Sequence, residues 1–325
     1  MHRLLLAILL LTLTSTSFGQ FTYAPINVPG AAATEARGIN NNGEIVGFYK
    51  TTACADYDIK VPNCPTKGFK YVNGSYIKLM VTGSVTTAIL GVNDLGDLVG
   101  FYSKMVSGCS NPVFHGFIWY HQNVVKTIDY PGSDKCNTYP NNVSATTVPF
   151  GINKAGTVVG GEWGVTPTGT FPNGGWVWVN GTFSNLNPVP PNPASPCCWS
   201  VTGISNNGIL TGIIFEADFW QALAEESHRP GFLYGLPHCN NGADSFGTGI
   251  NSATDVIGYT SLQGWFAKNI EQNEGTNDST EVAPSFLVVN YPNSQFTVPF
   301  GLNELRGMVG AYTDSSGKQH GFLAK

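Results

Sequence analysis

The densest group of titratable side chains lies near the middle of the second half of the chain, where Glu216, Asp218, Glu225, Glu226 and His228 crowd into one short stretch. Residues 216–226 read Glu-Ala-Asp-Phe-Trp-Gln-Ala-Leu-Ala-Glu-Glu, the one segment of helix-like composition. Two carboxylates facing each other across about 5 to 9.5 Å could cleave a glycosidic bond. Glu162 beside Trp163, or Asp56 and Asp58, would supply the opposing acid only if the fold brought them to this stretch. A solvated helix face is the plainer account, because clustered charges on connecting segments are normally exposed. The sequence has no Asp-box, no Gly-x-Ser-x-Gly elbow and no His-Glu-x-x-His, so the hydrolase classes that those motifs define are not indicated.

Tryptophan is the other residue type with a possible binding role, since an indole can stack on an apolar sugar face or fill an internal gap. Trp163, Trp199 and Trp220 read as loop residues and, with Glu162, Glu225 and His228, are the ligand-binding candidates. Trp119, Trp176, Trp178 and Trp265 sit in strand-like segments, where packing between sheets is expected.

All seven cysteines follow residue 19. Met1-His2-Arg3, the apolar run Leu4 to Leu13 and the small-residue stretch ending at Gly19 have the form of a secretory signal peptide, so residues 1–19 are expected to be removed and residues 20–325 to form one exported domain. The apolar run is too short to span a bilayer. In an oxidising compartment the thiols are expected to pair. Cys54 with Cys64 and Cys109 with Cys136 are the preferred bridges, and Cys198 with Cys239 is a third candidate. Cys197-Cys198 with His238-Cys239 could hold a metal, but their spacing matches no standard zinc pattern, so no metal or other cofactor is expected. Turns such as Asn93-Asp94-Leu95-Gly96-Asp97 carry too few carboxylates for calcium.

These residues hang on a repeat. Gly38-Ile39-Asn40, Gly91-Val92-Asn93, Gly151-Ile152-Asn153, Gly203-Ile204-Ser205, Gly249-Ile250-Asn251 and Gly301-Leu302-Asn303 align without gaps, and nine residues after each first glycine stand Gly47, Gly100, Gly160, Gly212, Gly258 and Gly310. Successive spacings of 53, 60, 52, 46 and 52 residues suit the blade of a β-propeller with variable loops. Strand a runs into the Gly-Ile-Asn. A hairpin of the Asn41-Asn42-Gly43 kind leads to strand b, which holds the second glycine. Strand c opens on glycine and an aromatic, as in Gly68-Phe69, Gly116-Phe117, Gly175-Trp176, Gly231-Phe232, Gly264-Trp265 and Gly321-Phe322, and strand d follows a short turn. In the fourth repeat the outer strand is expected to be short or absent.

The ends of the chain complement each other. The sixth repeat stops just after strand c, whereas Ile26-Asn27-Val28-Pro29-Gly30 resembles the end of a strand d with no repeat before it. The expectation is an all-β, six-bladed propeller of four-stranded antiparallel blades, closed by Phe21 to Val28 as the outer strand of the last blade. Its a–b and c–d turns should lie on one face. The longer b–c and d–a loops, with every cysteine, should lie on the other.

The Gly-Ile-Asn, the aliphatic-Val-Gly triplet and the Gly-aromatic strand resemble the bacterial extracellular repeats of the HAF family, named after a His-Ala-Phe motif that appears here as His115-Gly116-Phe117 and His320-Gly321-Phe322. The resemblance covers essentially the whole chain after residue 19. It implies export and propeller-type repeats and assigns no activity. The leading expectation is a secreted, non-catalytic, monomeric module that binds a glycan or protein through its long-loop face. The alternative is a secreted carbohydrate-active hydrolase or lyase that uses loop carboxylates. A charged fraction of 11%, a net charge of −5 and the lack of a basic patch argue against nucleic acid.

Overall fold

The computed structural model describes residues 21–52, 65–109, 112–133, 144–166, 169–186, 199–216, 219–226, 234–235, 244–261, 263–270 and 286–325. They form six four-stranded antiparallel sheets, the blades of a β-propeller. Strand β1 (Tyr23–Ile26) comes first in the chain but belongs to the last blade. The first blade is β2 (Ala33–Ile39), β3 (Ile45–Lys50), β4 (Thr66–Val72) and β5 (Ser75–Leu79), and the second is β6 (Thr86–Val92), β7 (Leu98–Lys104), β8 (Val113–Tyr120) and β9 (Val124–Thr127). The third holds β10 (Ser144–Ile152), β11 (Val158–Thr166), β12 (Gly169–Val179) and β13 (Thr182–Leu186). The fourth holds β14 (Trp199–Ile204), β15 (Ile209–Glu216), β16 (Phe219–Glu226) and β17 (Tyr234–Gly235). The fifth is β18 (Ser245–Ile250), β19 (Val256–Thr260), β20 (Gly264–Ala267) and β21 (Phe286–Val289). The sixth contains β22 (Phe296–Leu302), β23 (Met308–Thr313) and β24 (Gln319–Ala324), with β1 paired outside β24 as Tyr23↔Ala324 to Ile26↔Gly321.

The fourth blade corrects two sequence expectations. Residues 219–226, expected to be helical, form β16, paired with β15 from Ile209↔Glu226 to Glu216↔Phe219. That hairpin makes β16 the third strand and displaces Gly231-Phe232 from the role. Pairing to an already formed β15 outweighs the helical leaning of an Ala- and Glu-rich stretch. The outer strand is reduced to the two residues of β17.

Two features of the repeat shape the interior. First, all six inner strands carry a β-bulge at the same place, between Ala36/Gly38, Ile89/Gly91, Pro149/Gly151, Val201/Gly203, Gly247/Gly249 and Pro299/Gly301. The extra residue in each is the one just before the repeat glycine, and a bulge re-aims such a side chain. Second, the repeat glycines bring neighbouring blades into backbone contact around the axis. A Cβ on Gly38 would lie 3.1 Å from Gly91 Cα, one on Gly203 3.2 Å from Gly249 Cα, and one on Gly301 3.0 Å from Gly38 Cα.

The asparagine that ends each Gly-Ile-Asn stitches this ring together. Asn40 Oδ1 accepts the N–H groups of Asn42 and Glu44, fixing the a–b turn, while its Nδ2 donates to the carbonyl of Asn93 in the next blade. Asn93 donates likewise to Asn153, Asn153 to Ser205, Asn251 to Asn303, and Asn303 back to Asn40 at 3.0 Å. Where the fourth repeat has Ser205, Asn207 supplies the link by donating to Ser252 O. A second set of bonds joins the residues that follow these asparagines. Asp94 accepts both the backbone and side-chain N–H of Asn41, Glu304 accepts from Ser252, and Glu304 N donates to Asn41 Oδ1. Buried amides with all partners made stabilise such a network, whereas one missing member leaves costly unpaired groups.

The a–b and c–d turns share a face, as His121 at the second c–d turn shows by donating its N–H to Asp97 Oδ1 and placing Nδ1 2.7 Å from the same oxygen. Burial raises the Asp97 pKa. The His121 backbone and side-chain bonds and the Asn93 amide outweigh it, and the net pKa falls below 3.8. A carboxylate with a depressed native pKa contributes stability that is complete above its unfolded pKa of about 4 and lost as pH falls through the native value. Thermal melts of wild type should therefore show Tm dropping below about pH 4, and Asp97→Asn should flatten that part of the curve while lowering Tm at pH 7. An unchanged acid limb in the variant would assign the loss to other groups.

Candidate functional site

The bulged residues converge. Arg37, Leu90, Phe150, Thr202, Thr248 and Phe300, one from each blade, line a cavity of about 640 Å³ on the propeller axis, immediately beyond the glycine ring. Residues two positions earlier on the same strand faces, among them Glu35, Val148, Phe246 and Val298, form the next tier. Strand b adds Trp163, Ile213, Tyr259, Ala311 and Thr313. The lining sits where the inner strands begin and the second strands end, so the cavity lies toward the b–c and d–a connections. The glycine and asparagine rings stand between it and the opposite face.

Phe150, Trp163, Phe246, Tyr259, Phe296 and Phe300 give the walls six aromatic rings. Phe246 and Tyr259 stack with centroids 4.8 Å apart and planes 15° from parallel, and Trp163 meets Phe150 edge-on at 5.9 Å. Burial raises the Tyr259 phenol pKa, so the ring stays neutral. Thr202 and Thr248 donate their hydroxyls to Gly247 O and Pro299 O of the following blade, at 2.7 and 2.8 Å, and present methyl groups instead.

One ion pair interrupts this surface. Glu35 and Arg37 lie two residues apart on β2 and therefore on one face of the strand. Arg37 Nη2 is 2.8 Å from Glu35 Oε2, with the two side chains 17% and 4% exposed. The guanidinium carbon stands 3.7 Å from the Phe300 ring centroid and 5.3 Å from that of Phe48. Arg37 Nε and Gln319 Oε1 are buried and have no hydrogen-bond partner. Glu35 is the one carboxylate among the described lining residues, and the pair makes this lining neutral overall.

Trp163 is therefore at the cavity, as a residue of β11 rather than of a loop. Glu162 precedes it on the opposite strand face. It is half-buried, with its pKa raised by that burial, and is not part of the lining. Trp199 opens β14 and packs over Gly175, where an added Cβ would come 2.8 Å from its Cη2, and against the Val159, Val201 and Leu210 core. Like Trp163, it belongs to a strand and not to a loop. Trp220 and Glu225 are in β16, with side chains outside the described set, and His228 is outside the described residues. Asp56 and Asp58 are outside them as well. Cys109, the one cysteine among the described residues, is disulfide-bonded. Cys54, Cys64, Cys136, Cys197, Cys198 and Cys239 lie outside, as does His238. No group of three or more His, Cys, Asp or Glu side chains suited to a metal occurs among the described residues. Trp176, Trp178 and Trp265 are buried between blades, and Trp119 packs on the second blade's core.

Sequence reasoning passed over the cavity. Its signal was the position before each repeat glycine, the extra residue of each bulge, but Arg, Leu, Phe and Thr there form no chemical motif.

No protein-family model matches the chain, and no curated protein does. Among solved structures, a streptogramin B lyase is 12% identical with a TM-score of 0.45, the likeness covering 94% of this chain and 98% of that one. A virginiamycin B lyase from Staphylococcus aureus is 9% identical, covering 94% and 100% with a TM-score of 0.47. A gluconolactonase from Xanthomonas campestris is 7% identical, covering 94% and 89% with a TM-score of 0.49. At these values none of their chemistry carries over to this chain.

Proposed function

We propose that the chain is an exported, non-catalytic binding module that takes its ligand into the axial cavity from the long-loop side. The observation that supports this most directly is the lining itself: all six blades contribute to a mostly apolar cavity of ligand size whose one described carboxylate is tied to Arg37. The hydrolase alternative needs two acids facing one bond, and the described lining offers one, already neutralised. A polyhydroxylated sugar would bury hydroxyls against rings and methyls with few partners, so the cavity suits a less polar guest than the sequence suggested.

Titration with N-phenyl-1-naphthylamine, a neutral apolar fluorophore, should give saturable one-to-one binding. Thr313→Trp, which fills the cavity's rim, should weaken it at least tenfold. The fluorophore should be recovered unchanged by mass spectrometry after prolonged incubation. Absence of saturable binding, or equal binding to the filled variant, would overturn the proposal.

A further inference from the structure

We infer that the axial cavity takes an uncharged aromatic guest with a hydrogen-bonding group, and that Tyr259 Oη is the atom that meets this group. The inference rests on the binding-module reading above and adds the ligand's chemistry and its anchoring residue.

Tyr259 is the one tyrosine among the described lining residues, and it is half-buried. Its ring is held from two sides, stacked on Phe246 at 4.8 Å and edge-on to Phe296 at 6.2 Å with the planes 83° apart. Among the described residues its hydroxyl has no hydrogen-bond partner. Glu35 Oε2, Arg37 Nε and Gln319 Oε1 also have none, but those atoms are buried and cannot touch a guest, whereas Tyr259 Oη keeps accessible surface. The phenol feels the charges of Arg37 and Glu35 on blade one, although blade six stands between blades five and one around the ring. The oxygen therefore faces the hollow that these residues share. A tyrosine hydroxyl both donates and accepts, so it can orient a guest that brings either kind of group.

The order of the blades argues for an aromatic guest. Blades three and six stand opposite each other in the ring of six, so Phe150 and Trp163 face Phe296 and Phe300 across the axis, with Phe246 and Tyr259 of blade five beside the second wall. One face of Phe300 is already covered by the Arg37 guanidinium at 3.7 Å. A flat guest between these walls meets rings on two sides, and offset or edge-on contacts of that kind favour an aromatic ring over a saturated one.

Charge argues for a neutral guest. Glu35 and Arg37 hold each other at 2.8 Å, so an anion drawn to the guanidinium meets the carboxylate, and a cation drawn to the carboxylate meets the guanidinium. Either loses its hydration without gaining a free counter-charge. The other polar side chains leave the deeper anchor to Tyr259. Thr202 and Thr248 give their hydroxyls to backbone carbonyls, while Gln295, Thr313 and Gln319 lie at the strand ends of blade six, toward the mouth.

The test measures displacement of the naphthylamine fluorophore from the full chain by four fused bicycles of similar size. Naphthalene has no hydrogen-bonding group, 2-naphthol has a hydroxyl, decahydro-2-naphthol keeps the hydroxyl on saturated rings, and 2-naphthoate carries a charge. 2-Naphthol should bind about tenfold tighter than naphthalene. It should bind at least about threefold tighter than its saturated counterpart. Tyr259→Phe, which removes one oxygen and keeps both ring contacts, should abolish the advantage of 2-naphthol over naphthalene and leave naphthalene itself unchanged. Thr313→Val should preserve that advantage. Each comparison is a ratio within one protein, so a small loss of stability does not alter it. An advantage that survives Tyr259→Phe would overturn the anchor, and equal or tighter binding of the saturated alcohol would overturn the aromatic guest; both results leave the binding-module reading standing. Tightest binding of 2-naphthoate would overturn the inference in favour of an anion site. No binding of the fluorophore or of any bicycle would overturn the binding-module reading together with the inference.

Discussion

Gly100→Ala is expected to yield almost no folded protein. Gly100 lies opposite Ile89 at the bulge of the second blade, and a Cβ built on it would overlap Ala88 O, far inside van der Waals contact distance. The same collision, with the carbonyl of the residue three before the repeat glycine, faces Gly47, Gly160, Gly212, Gly258 and Gly310. The obstructing atom is backbone, so it cannot move aside as a flexible side chain would. Relief requires straightening the bulge, which would turn Leu90 away from the axis and slip the register of β6 against β7. Strand c adds a second obstacle: Phe117 lies opposite Gly100, and in the first blade a Cβ on Gly47 would come 2.9 Å from Phe69 Cε1. A cost above about 4 kcal/mol is expected, comparable to the whole stability of many domains. Gly174→Ala is the control, because a Cβ there meets nothing within 4 Å. Its Tm should stay within about 2 °C of wild type. Calorimetry and soluble yield of the two variants check both statements. A Gly100→Ala protein melting near wild type would show that the bulge is not needed.

That collision also explains which parts of the molecule the sequence made readable. The blade count, the strand order and the closing strand were legible because each rests on residue types with a specific geometric role, repeated in nearly every blade. Glycine is required under a backbone carbonyl, asparagine both caps its own turn and reaches the next blade, and an aromatic ring covers the strand b glycine, as in Gly47↔Phe69, Gly160↔Trp176, Gly258↔Trp265 and Gly310↔Phe322. The fourth blade was misread for the same reason. There Gly212 faces Leu223, which carries no such mark, so Gly231-Phe232 drew the assignment although β16 had already been completed upstream. The cavity was illegible for the opposite reason. Each bulged side chain has only to point at the axis, a demand of backbone geometry that any residue type meets, and the identities are then free to follow the guest. Clustered charge and loop tryptophan were weaker guides, since Trp199 packs against a core cluster and, of the three candidate tryptophans, Trp163 is the one among the described lining residues.

Deleting residues 21–28 should be nearly as damaging as Gly100→Ala, and unlike it should be reversible. Strand β1 covers the edge of β24, and Thr22 and Lys325 exchange two further backbone bonds at 2.9 and 3.0 Å. Its side chains close the ring. Tyr23 packs edge-on to both Tyr291 and Phe322, at 5.5 and 5.8 Å, Phe21 meets Phe266 at 6.0 Å, and Ile26 and Val28 are buried in the first blade's core. Fully burying an apolar side chain of this size contributes about 1.5 to 3 kcal/mol, so Ile26 and Val28 together exceed about 3 kcal/mol before the half-buried Phe21 and Tyr23 or any hydrogen bond is added. Without them β24 becomes an unpaired edge flanked by exposed aromatic surface, a template for intermolecular pairing. The truncated chain should therefore elute as aggregate, with Tm lowered by more than about 10 °C in whatever monomer remains. A synthetic peptide of residues 20–30 supplied during refolding should restore the monomer, because the groove it fills is otherwise formed by strands already present. Tyr23→Ala within the peptide should weaken that rescue by removing both ring contacts. A truncated chain that stays monomeric with an unshifted Tm would show that the ring holds through its glycine and asparagine circuits alone, and that the outer strand of the last blade is dispensable.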